Sequence, residues 1–155
     1  MYNRERLDDV RHWARERAGK PGEARLDMSR WFDSDPECGT RMCLGGYVVH
    51  RAGGTFVWGE SPVTKKPRVY YCTLPGRHSL TSDVSDAAQG LLGLTEHEAF
   101  VLFDLNEEYE LDLVLDFLDE LCDRAARGLP NMTPSEVTTF TDLWHESLRP
   151  AHHYM

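Results

Sequence analysis

The chain predicts an α+β fold dominated by helices, with five or six helices around one core and a β-hairpin in the middle of the sequence. Apolar residues recur at helical spacing in five or six stretches, whereas residues 55–73 hold two β-branched and aromatic runs that a proline-containing polar stretch separates. At 155 residues and 41% hydrophobic, the sequence suits a single domain, 1–155, whose core needs no staples and whose tail, about 149–155, frays.

Leu7, Val10, Trp13 and Ala14 mark one face of a helix over about residues 3–18, which Gly19-Lys-Pro-Gly22 ends. Leu26 to Phe32 is short and aromatic, and Trp31 and Phe32 are expected to fold back onto the core. Asp33 to Glu37 has turn composition. Thr40 is placed to cap a second helix over about 41–52, closed by Gly53-Gly54. Thr55–Gly59 and Arg68–Thr73 then form the hairpin, which must lie on the helices because two strands alone are marginal.

Beyond Asp83 the pattern is helical to the end. Val84, Ala87, Ala88, Leu91 and Leu92 share one face, and Gly93 stands where a left-handed cap is wanted. Thr95-Glu-His-Glu98 is a capping box for a short helix carrying Ala99, Leu102 and Phe103. Leu111, Val114, Leu115, Leu118, Leu121 and Cys122 define a long amphipathic helix over 109–127, whose stripe can be buried within the monomer or across a homodimer. Thr133-Pro-Ser-Glu136 caps a last helix with Val137, Phe140, Thr141 and Trp144 on its apolar face.

Net charge is −9, unevenly spread: residues 1–80 carry 14 Lys/Arg against 10 Asp/Glu, and residues 81–155 carry 3 against 16. The acidic half repels polyanions, so nucleic acid could be met only through scattered basic residues of the first half, and direct binding to it is not expected. That acidic half can instead meet a basic protein surface. No run approaches the roughly 18 consecutive apolar residues of a membrane span, and the opening residues lead into charge rather than an apolar signal core. A cytoplasmic protein with reduced thiols is expected, and no membrane partner.

The densest unusual feature is Cys38-Gly-Thr-Arg-Met-Cys-Leu-Gly-Gly46, two thiols and two helix-weakening glycines at the start of an apolar run. Gly45 and Gly46 each cost about 1 kcal/mol relative to alanine inside a helix, which points to close approach by another backbone or a ligand. Together with Asp27-Met-Ser-Arg-Trp31, and with Ala87-Ala-x-x-Leu-Leu-Gly-Leu-Thr95 followed by Leu102-Phe-Asp104, the segment resembles a recurrent family of small proteins encoded by actinobacteria and their phages. The family pattern places a small residue, a glycine and an aromatic or histidine after the second cysteine, as in Gly45-Gly46-Tyr47. The resemblance covers roughly residues 26–120. It implies a phage or phage-derived origin and a cytoplasmic site, and it transfers no activity and no catalytic residue.

Three chemistries are open to these residues. A cysteine beside a helix N-terminus has its thiolate favoured by the macrodipole, so Cys38 or Cys43 is a candidate nucleophile. His50 lies seven residues, about 10 Å, beyond Cys43 on a helix, too far for proton transfer. His78, oriented by Asp83, is the candidate base. Cys38, Cys43, Cys72 and His78 form an alternative zinc set, although paired zinc ligands usually stand two to four residues apart. The ordinary reading of Cys43, Cys72 and Cys122 is as small buried hydrophobes. The acids Glu107-Glu108-Tyr-Glu110 lack the central glycine of a calcium loop and read as an acidic helix start. No nucleotide loop, serine elbow or His-Glu-x-x-His is present. The expectation is a non-enzymatic interaction protein without cofactor that acts on a host or phage protein. Its contact surface would include Trp31, Gly45, Gly46, Trp58, Glu107 and Glu108.

Overall fold

Helices of this chain are stable because each buries an apolar stripe, and the element order follows from where those stripes fall. A computed structural model describes residues 1–18, 33–35, 39–41, 44–60, 62, 65, 67–76, 81–103 and 111–153. These form α1 (Arg4–Ala18), β1 (Asp33–Asp35), β2 (Gly39–Arg41), α2 (Leu44–Arg51), β3 (Thr55–Glu60), β4 (Pro67–Thr73), α3 (Val84–Leu92), α4 (Glu96–Phe103), α5 (Leu111–Ala126) and α6 (Pro134–His153). The expected fold class is the observed one: α+β, helix-dominated, with an antiparallel hairpin, β3–β4, in mid-chain.

Helix α1 lies along α5, and α2 along α3. Leu7, Val10 and Ala14 of α1 join Leu44, Val48 and Val49 of α2, Leu92 of α3, Leu102 of α4 and Phe117, Leu118 and Leu121 of α5 in one buried cluster. Burial of a side chain such as Phe117 contributes about 3 kcal/mol. Phe117 meets the half-buried Phe140 of α6 edge-on at 5.3 Å between ring centroids. Trp13 stacks on Tyr47 at 4.2 Å and 8°, tying α1 to α2. Tyr47 Oη donates to Asp9 Oδ2 at 3.1 Å, and Arg51 Nε reaches the same oxygen at 3.3 Å.

Two helix boundaries differ from expectation. Thr40 does not cap α2; it pairs with Ser34 in the β1–β2 ladder, and the helix begins at Leu44. Strands of three residues are too short to show an alternation, so Asp33–Asp35 read as turn alone. Helix α6 runs to His153, past Pro150, where fraying was expected from 149. A proline in the last turn removes one backbone donor but leaves the preceding turns intact.

The caps anticipated at Gly93, Thr95 and Thr133 are present, and α3 has a further one at Asp83. Asp83 accepts from Ser85 N at 2.9 Å and from Ser85 Oγ at 2.7 Å at the start of α3. At its end Gly93, φ 72°, sends its N–H to Gly90 O while Leu94 N reaches Gln89 O, and the same pair of bonds closes α2 at Gly53 and α5 at Gly128. A Cβ on Gly93 would stand 1.9 Å from Met1 O, so close approach by the chain start demands glycine there as well.

One carboxylate organises that corner. Glu98, fully buried, closes the capping box three residues after Thr95 and accepts from Thr95 N at 2.9 Å and Thr95 Oγ1 at 3.1 Å. It also accepts from Asn131 Nδ2 at 2.7 Å, Met132 N at 3.1 Å and Tyr2 Oη at 2.5 Å. The chain start, the α3–α4 corner and the α5–α6 connection thus meet at one charge. Burial and the Glu98 carboxylate push the Tyr2 phenol well above its ordinary pKa.

Candidate functional site

The hairpin presents three of the exposed large apolar residues side by side in sequence and register, whereas Phe100 of α4 and Leu143 of α6 are exposed singly. In a regular strand Phe56 and Trp58 would share one face and Val57 the other. The register runs Thr55↔Thr73, Phe56↔Cys72, Val57↔Tyr71, then shifts to Trp58↔Val69, skipping Tyr70. The extra residue lies in β4; Val57 and Tyr71 are exposed on the face opposite Phe56 and Cys72, as alternation requires, and beside the shift Trp58 is exposed as well, while Phe56 packs, half-buried, against the core. Val57, Trp58 and Tyr71 are 39%, 41% and 50% exposed. Register partners lie side by side, so Val57 and Tyr71 form a continuous patch. Glu60 stands against Lys65, Lys66 and Arg68 in the hairpin sequence, making it net basic, and Lys65 holds a left-handed φ of 63°.

The hairpin is anchored from beneath. Cys72 N and O exchange hydrogen bonds with Ser82 O and N at 2.9 and 2.8 Å, a bridge that carries the chain directly into the Asp83 cap of α3. Cys72 itself is fully buried, and burial together with the Asp83 charge pushes its thiol upward. Cys122 is buried in α5 with its thiol pushed up to about 12, chiefly by burial. Both are neutral thiols at neutral pH, the behaviour expected of small hydrophobes.

Of the residues singled out from sequence, Trp58 is on the exposed hairpin face, whereas Gly45 and Gly46 lie buried in α2. Cys38, Cys43, His78, Trp31, Glu107 and Glu108 lie outside the described residues. Asp83, expected to orient His78, spends a carboxylate oxygen on Ser85 at the α3 cap. Among the described residues no three of His, Cys, Asp and Glu gather where a metal could sit. Part of the acidic half works internally: Arg15 pairs with Asp116 and Asp119, Arg11 reaches Asp119, and Trp144 Nε1 donates to Asp116 Oδ2 at 2.8 Å. Those bonds hold α1 and α6 to α5.

Val57 and Tyr71 are the surface residues that sequence reading passed over. Both sat in predicted strands, but which face of the hairpin lies on the helices is not written in either strand alone. Among the described residues no helix is long and apolar enough to cross a membrane. No protein-family model, no curated protein and no solved structure matches the chain.

Proposed function

We propose that this protein is a non-enzymatic interaction module of the phage type it resembles, acting in the cytoplasm on a host or phage protein through the Val57, Trp58 and Tyr71 face of the β3–β4 hairpin. The observation that carries this reading is the exposure of three large apolar side chains on a sheet whose other features serve the core. Aromatic residues are enriched in the energetic centres of protein interfaces, and Trp and Tyr lead among them. The basic sequence of the hairpin favours a partner whose apolar patch is rimmed by acids.

The test is affinity capture from an actinobacterial lysate with the tagged wild type and the Trp58→Ala and Tyr71→Ala variants. Each variant should retain the wild-type fold by circular dichroism and lose a stoichiometric partner. Retention of every partner by both variants would exclude the hairpin face.

A further inference from the structure

Helix α3 has one edge that no described residue covers. Asp86 and Gly90, four residues apart, lie on one face of it and form a ridge between two hollows of about 450 and 540 Å³, both of which they line. The smaller hollow has Leu74, Ala87 and Leu91 in its wall and Arg6 of α1 at its side. Neither the Arg6 guanidinium nor the Asp86 carboxylate makes a hydrogen bond or ion pair among the described residues, with each other or with any third group.

Gly90 is the second observation. Glycine weakens a helix interior relative to alanine, and the glycines at helix ends here answer to crowding or to a left-handed backbone: a Cβ at Gly54 would stand 2.5 Å from Val49 Cγ1, one at Gly93 would strike Met1, and Gly128 holds φ 69°. A Cβ at Gly90 would meet nothing within 4 Å. No described residue requires that glycine, yet it opens the ridge to close approach from outside.

We propose that this surface is the interface of a two-fold symmetric homodimer, in which the α3 ridge of each copy enters a hollow of the other and Arg6 of each pairs with Asp86 of its mate. The charge pattern selects a second copy as occupant. An isologous contact must be complementary to itself, and this patch carries one unpaired cation and one unpaired anion beside an apolar wall. Ridges entering grooves are how helices pack, and glycine at the crossing lets two axes approach closely. The net charge of −9 opposes association at low ionic strength, so the measurement belongs at about 0.15 M salt, where the screening length is about 8 Å.

Sedimentation over a concentration series reads the outcome directly. Wild type should approach twice the 17.8 kDa chain mass. Arg6→Glu and Asp86→Arg should each weaken the dimer by about tenfold or more, since each reversal acts twice across the axis, and the double variant should recover association to within a few-fold of wild type. Gly90→Leu should give monomer, and Gly90→Ala should yield a monomer unit at least as heat-stable as wild type, which separates interface loss from misfolding. A wild type that stays monomeric into hundreds of micromolar, or a dimer indifferent to both single reversals, overturns the proposal.

Discussion

Replacing Glu98 by alanine tests whether one buried charge holds three parts of the chain together. The carboxylate accepts five hydrogen bonds. Some donors have second partners: Asn131 Nδ2 also reaches Gly93 O at 2.8 Å, and Met132 N also reaches Tyr2 Oη at 3.1 Å. The Thr95 N–H, the Thr95 hydroxyl and the Tyr2 hydroxyl are the donors left stranded. At about 1–3 kcal/mol per orphaned buried donor, and with a void where the side chain stood, Glu98→Ala should cost about 4 kcal/mol or more. That is a large share of the roughly 5–15 kcal/mol that stabilises a domain. Glu98→Gln separates charge from shape. Its carbonyl can keep the three donors at Oε1, and the Tyr2 hydroxyl can turn to accept from the new amide, but Met132 N–H then faces a donor; the cost should be about 1–2 kcal/mol. In urea, at a slope of about 2 kcal/mol per M, alanine should lower the midpoint by about 2 M and glutamine by less than half of that. An alanine midpoint within about 0.5 M of wild type, or glutamine as damaging as alanine, would refute the account.

Other consequences are independent of that corner's charge. Gly93→Ala places a side chain at φ 72° and against Met1 O, so it should cost about 3 kcal/mol and release the chain start, read as faster amide exchange at Asn3, whose N–H now reaches Leu92 O at 2.9 Å. Cys72 and Cys122 should resist alkylation at pH 7.5 in the folded protein and react after unfolding, since burial raises both thiols; rapid labelling of either in the native state would contradict their placement. Glu136 is held below the ordinary carboxylate range, first by the Thr133 backbone N–H and then by its hydroxyl. Its contribution to stability is therefore complete above that range and is lost as pH falls below it. Thr133→Ala removes the hydroxyl but keeps the backbone N–H, so it should move the Glu136 titration followed by NMR only part of the way toward the ordinary range, and no movement at all would show that the hydroxyl has no hold on the carboxylate.

The cap residues were legible because a cap is a local event. Thr95, Glu98, Gly93, Thr133 and Glu136 take their roles from neighbours within a few positions, and each does in the structure what its spacing implies. The stripes of α3 and α5 were legible for the same reason, helical periodicity being written along one segment. The start of α2 was misread because Thr40 is equally apt as a cap and as a strand residue; pairing with Ser34, six positions away, settled its use. Glu98 shows both regimes. Its capping role follows from the interval to Thr95, whereas its bonds to Tyr2, Asn131 and Met132 join residues 33 to 96 positions away and have no sequence signal.

By itself, then, the sequence determined the fold class, the order and approximate bounds of the helices, the mid-chain hairpin and the caps at Gly93, Thr95 and Thr133. All of these rest on periodicity and on hydrogen bonds that close within one turn or one strand. Tertiary structure alone decided which apolar residues stay outside. Val57, Trp58 and Tyr71 are as hydrophobic as the residues of the core, but the way the hairpin lies on the helices leaves them open to solvent. Gly90 and Gly93 stand three residues apart in one helix and its cap, yet one faces open space and the other the backbone of Met1. What separates such positions is the neighbour brought to them by the rest of the chain, and a contact between distant segments has no period for a sequence to display.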